Sequence, residues 1–95
     1  MCDAWPVPFT PNEDGANDVV WFEYPEMEIS GARLEIFDIE GRRVFDAEIP
    51  PTSPERDAFW NGLRESGTKA IPGSYIYVIS RGVDVVCKGA IVLAR

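Results

Sequence analysis

The sequence predicts an all-β protein, an antiparallel sandwich of about seven strands folded as a single domain over residues 1–95. Three observations carry that prediction. Short apolar runs alternate with turn signals about every 8–12 residues, the spacing of sandwich strands. Eight prolines and eight glycines in 95 residues leave no stretch in which a long helix could run. An apolar share of 45%, with 12% aromatic, gives the strands a core to bury and sets the chain apart from disordered sequences.

The elements follow in order. Residues 4–9, "AWPVPF", are extended, and Pro6 and Pro8 suit an edge strand, where a missing N–H harms no ladder. Residues 18–24, "DVVWFEY", are β-branched and aromatic. Alternation puts Val20 and Phe22 on one face and Val19, Trp21 and Glu23 on the other, with Trp21 partly exposed because Glu23 seeks water. Residues 25–31, "PEMEISG", read as a polar connection. In "RLEIFDI", residues 33–39, Leu34 and Ile36 alternate with Arg33 and Glu35, so one face is buried. A tight turn at Glu40-Gly41 leads into "RVFDAEI", residues 43–49, with Val44 and Phe45 on opposite faces; the two runs make a hairpin.

The second half begins with a proline-rich loop, residues 50–57, in which Ser53 and Pro54 fit the cap and first position of one helical turn. "AFWNG", residues 58–62, is a short strand ending in a turn. Residues 63–73 form a loop punctuated by Gly67 and by Pro72-Gly73. "SYIYVIS", residues 74–80, is the most apolar strand and is expected inside a sheet, with Tyr75, Tyr77 and Ile79 on one face and Ile76 and Val78 on the other. The last strand is "VVCKGAIVL", residues 85–93, where Gly89 marks a bulge or a close backbone approach. The expected core comprises Leu34, Ile36, Trp60, Ile76 and Val78.

Composition excludes several functions. The net charge of −7 disfavours nucleic acid and anionic membrane as partners, because phosphate binding needs clustered Lys and Arg. No apolar run approaches the roughly 20 residues of a membrane-spanning helix. No signal peptide is visible, so the chain reads as cytosolic or as a mature or excised piece. Without histidine there is no Ser-His-Asp or Cys-His constellation and no usual zinc site. Asp38 with Glu40, and Glu26 with Glu28, are acidic pairs, but glycosidase chemistry needs a cleft that a sandwich this small has little room for. Ser66, Thr68 and Lys69 have no positioned base beside them. The chain reads as non-enzymatic.

Four features remain as candidate sites. "FTPNEDGAND", residues 9–18, crowds oxygen-bearing side chains around Gly15. Asn12, Asp14 and Asp18 are candidate calcium ligands, although the EF-hand spacing fails. The preferred reading is a corner in which Asn12 and Asp14 bond backbone N–H groups while Gly15 takes a positive φ. Trp60-Asn61-Gly62 is read as a buried indole followed by a turn, with sugar stacking as the alternative. Trp5 and Trp21 are candidate stacking residues for a glycan or a partner domain. Cys2 and Cys87 lie near opposite ends of the chain, and their spacing leaves a disulfide and two free thiols equally open.

"PFTPNEDGANDVV", "LEIFDIEGRRVF", "WNGLRESGTKAIPGSYIYVI" and "KGAIVLAR", in this order, resemble the gliding-motility-associated C-terminal domain of bacterial exported proteins. The middle two motifs are also similar to the immunoglobulin-like domain of flagellar hook-cap proteins. The likeness runs from about Pro8 to Arg95, with Gly15, Gly41, Trp60, Asn61, Gly62, Pro72, Gly73 and Tyr75 as its structural residues. The family usually has glycine where Glu13 stands and aspartate where Asn61 stands. The resemblance implies an immunoglobulin-like β-sandwich that acts without catalysis and without a cofactor. It implies a domain appended to a larger secreted or cell-surface protein, in sorting, attachment or assembly, with a protein of the secretion machinery as partner. A carbohydrate-binding module using Trp5, Trp21 or the Tyr75/Tyr77 face is the alternative.

Overall fold

The computed structural model describes residues 1–95, and it contains strands but no helix. The strands are β1 (Asp3–Trp5), β2 (Val20–Glu23), β3 (Ala32–Asp38), β4 (Arg43–Ile49), β5 (Phe59–Trp60), β6 (Gly73–Arg81) and β7 (Asp84–Leu93). They form a small sheet of order β1-β2-β5 and a large sheet of order β4-β3-β6-β7, and all named pairings are antiparallel. The order corresponds to strands A-B-E and C′-C-F-G of an immunoglobulin-like sandwich. β6 lies inside its sheet, as its apolar character requires.

The first nine residues join the two sheets. β1 pairs with β2, and after Pro6 and Pro8 the chain reaches Phe9, which bridges Leu93 in parallel. The Phe9 N–H donates to Val92 O at 3.0 Å, and Ala94 N–H donates to Phe9 O at 2.9 Å. Phe9 is fully buried, its ring 5.7 Å from that of Trp60. Trp60 is the centre of the core: it is fully buried, sits edge-on to Tyr75 at 5.3 Å, and donates from Nε1 to Leu63 O at 2.9 Å.

Three expectations are corrected. The inward face of β6 carries Tyr75, Tyr77 and Ile79, while Ile76 and Val78 are half-buried on the outer face. The tyrosines win because their rings fill the space beneath the small sheet: Tyr75 against Trp60, Tyr77 against Phe22 at 4.9 Å. Val44 and Phe45 both turn inward, Val44 buried and Phe45 packed against the core, because a register irregularity at Ile36/Phe37 adds a residue to β4. Residues 54–56 form a turn rather than a helical turn, with Glu55 at φ +62°, which no right-handed helix accommodates.

Gly89 is a close approach and not a bulge. A Cβ there would stand 2.8 Å from Tyr77 Cε2, so the ring of its cross-strand partner lies over the bare backbone. The polar connection after β2 also holds more than its sequence promises. Tyr24 and Met27 are buried, and Arg81 donates to Gly31 O at 3.0 Å and to Pro25 O at 2.6 Å, with its guanidinium 5.6 Å from the Tyr24 ring centre.

Candidate functional site

The outer face of the small sheet carries three aromatic residues that the core does not use. Register places Trp5 opposite Trp21 and Trp21 opposite Phe59, so the three side chains stand in one row across β1, β2 and β5. The next row holds Asp3 opposite Glu23. Trp5 and Trp21 are half-buried, Phe59 is 38% exposed, and the Trp21 and Phe59 rings lie 5.6 Å apart at 60°. A slot of about 330 Å³ opens between the two indoles, lined also by Asn17, Asp18, Val19 and Glu55. Glu55 Oε2 accepts from Trp5 Nε1 at 2.9 Å, which fixes that indole at one side of the slot.

The opening loop borders this slot. Asn12 Oδ1 accepts from the Asp14 N–H at 3.2 Å, and Asp14 Oδ1 accepts from the Ala16 N–H at 2.9 Å. Asp18 accepts from the Glu13 N–H at 3.1 Å and from the Gly15 N–H at 2.9 Å, one on each oxygen. The side-chain oxygens are thus turned onto the loop's own backbone, and no group of three or more His, Cys, Asp or Glu side chains is placed to hold a metal ion. Gly15 has φ +82° with open space around it, so its conformation alone selects glycine. Glu13 stands at φ +64°, a conformation costly for glutamate and free for the glycine common in the resembling family.

The remaining candidate residues are structural in their placement. Asn61 Oδ1 accepts from the Leu63 N–H at 3.1 Å, and Gly62, at φ +82°, leaves a Cβ only 3.1 Å from Pro11 Cγ and 3.2 Å from Leu93 Cδ1. Gly41, at φ +86°, closes the β3–β4 turn. In that turn Asp38 Oδ1 accepts from the Glu40 and Arg42 N–H groups, each at 2.9 Å. These bonds, led by that from the Arg42 backbone, hold the Asp38 carboxyl below its usual range. Pro72-Gly73 opens β6, and Tyr75, near its start, donates its hydroxyl to Ile71 O at 2.6 Å, in the manner of a tyrosine corner. Burial pushes the Tyr24, Tyr75 and Tyr77 hydroxyls above the ordinary phenol range. Cys2 and Cys87 are joined as a disulfide with Cα atoms 5.7 Å apart, which ties the segment before β1 to β7 across the two sheets.

The opposite outer face differs in kind. On the large sheet Arg33 donates to Glu48 at 2.9 Å and to Asp46, while Arg43 donates to Glu35 at 3.1 Å and lies 3.5 Å from Asp46. Every charge in this ladder has a partner.

Fold and surfaces together define a small, all-β, immunoglobulin-like sandwich module. Residues 5–93 match the CHU_C type IX secretion signal domain, and the chain belongs to that family. No curated protein matches the chain. A type IX secretion signal domain is a sorting signal, so the family places the parent protein among those exported to the cell surface or beyond.

Proposed function

We propose that this domain is a non-catalytic sorting and attachment module, recognised in its folded state by a protein of the secretion machinery. The observation that carries the reading is the family match, which spans 89 of the 95 residues (5 to 93, inclusive). Two features support it. The disulfide fits a domain that folds outside the reducing cytoplasm. The absence of histidine removes the side chain most often used for general acid–base chemistry. A carbohydrate-binding role would draw on Trp5 and Trp21, which line one slot, since Tyr75 and Tyr77 are buried; the family match favours the sorting reading.

The test is a reporter enzyme carrying a signal peptide and ending in this chain, expressed in a bacterium with a type IX system. The fusion is expected in the medium or on the cell surface, and the reporter without the domain in the periplasm. Equal periplasmic retention of both would overturn the reading.

A further inference from the structure

We propose that the slot between Trp5 and Trp21 receives a cationic side chain, arginine or lysine, from a basic surface of the protein partner. The proposal rests on the sorting reading for the partner's identity, but the slot's chemistry stands on its own. Two indoles line the slot, and the electron-rich face of an indole attracts a cation. Glu55 adds a carboxylate at the rim: Oε2 holds Trp5 Nε1, and the negative charge has no ion-pair partner. Asp18, also in the lining, and Asp3 and Glu23 in the adjoining row are likewise outside every ion pair of the molecule. No Lys or Arg lines the slot. On the opposite face, by contrast, Glu35, Asp46 and Glu48 each pair with Arg33 or Arg43.

Charge complementarity selects the occupant. A neutral ring would gain contact with the indoles and nothing from the carboxylates. A guanidinium gains both, in a domain whose net charge of −7 already draws basic partners toward it. Glu55 is held at φ +62° in the turn that lays its carboxylate against Trp5, so the acidic rim is fixed before any partner arrives.

The probe is a hexa-arginine peptide titrated into the oxidised domain, followed by the indole N–H signals in NMR. The signals of Trp5 and Trp21 are expected to shift and that of the buried Trp60 to stay. Trp21→Leu and Glu55→Gln should each weaken binding about three- to five-fold, the scale of a single exposed cation–π or charge contact. Glu48→Gln removes the same charge from the opposite outer face and should change affinity less than either. Equal weakening by Glu55→Gln and Glu48→Gln would reduce the effect to bulk charge and overturn the proposal. So would binding of cellohexaose at the slot with no response to hexa-arginine. Glu55→Gln tests the site even if Trp21→Leu fails to fold. In the reporter assay the two slot variants should be exported less than the wild-type chain. Normal export of both would overturn the slot as the machinery's contact while leaving the sorting role intact. Failure of the wild-type chain itself to be exported would strike the sorting role alone, since the peptide titration needs no export.

Discussion

The two outer faces of the sandwich solve the same problem in opposite ways. Both sheets must present one side to water. The large sheet covers that side with a ladder of paired charges from β3 and β4, which satisfy one another and leave little for a partner to complete. The small sheet presents two half-buried tryptophans, an exposed phenylalanine and carboxylates without cations. The small sheet is also the weaker in backbone, since β1, β2 and β5 have three, four and two residues against seven to ten in the large sheet. Charges that already pair offer a partner less than aromatic area with unspent charge does.

The largest test of this contrast is the disulfide, which anchors the short edge of the small sheet to the large one. Reduction should cost roughly 4–5 kcal/mol by the chain-entropy argument for so long a loop. Amide exchange should accelerate first in β1 and β2. Urea midpoints that coincide with and without reductant would show that the bridge does not hold the small sheet. Trp60→Ala comes next at about 3–5 kcal/mol, the usual cost of emptying a large aromatic site. Because Trp60 lies beneath both sheets, this loss should loosen them together, and exchange confined to one sheet would break the comparison.

Alkali should act on the core between the faces. Tyr24, Tyr75 and Tyr77 keep their protons to higher pH when folded than when unfolded, because burial disfavours the phenolate. Their contribution is complete below about pH 10 and lost as pH rises through the raised folded values. Tyr24→Phe should blunt that loss at little cost near neutral pH, because the Tyr24 hydroxyl is buried without a partner. A melting-temperature profile from pH 8 to 12, each bound approximate, checks both points. The ladder is worth less: Arg33→Ala should cost about 0–1 kcal/mol, and less still in high salt. A loss that salt does not reduce would mean the large-sheet face is more than a solvated ladder. The smallest expected effect is none. Calcium and chelator should give the same melting temperature, because the oxygens of Asn12, Asp14 and Asp18 are engaged by the loop's own N–H groups. A chelator-sensitive melt that Asp14→Ala abolishes would reassign the loop as a metal site.

Much of the fold is legible in the sequence because strand alternation is local. Leu34 and Ile36 declare their face through Arg33 and Glu35, and Val20 and Phe22 theirs through Glu23, and all four are buried. β6 shows where that logic stops. Its two faces are both apolar, so alternation separates Tyr75, Tyr77 and Ile79 from Ile76 and Val78 without saying which set is inside. The decision is made by distant partners: Trp60 and Phe22 supply the aromatic surface, and Gly89 clears the space under Tyr77. The site is legible only in part for the same reason. Trp5 and Trp21 can be singled out as uncommitted tryptophans, but their alignment with Phe59 depends on register between strands far apart in sequence. Glu55 gives no signal at all, since its place beside Trp5 follows from a turn 50 residues further along the chain.

The bond between Cys2 and Cys87 also decides how the domain would carry tension. A pull applied at residues 1 and 95 passes from Cys2 directly to Cys87 and then along the last part of β7. Residues 3–86, which hold β1 through β6, lie off that covalent line, and load reaches them through the hydrogen bonds that β6 and Phe9 make to β7 and Ala94. In the reduced chain the same pull runs through every strand in turn. Oxidation thus converts the domain from an extensible segment into a short link, with its folded bulk and its aromatic face carried as a side loop that the pull cannot draw out.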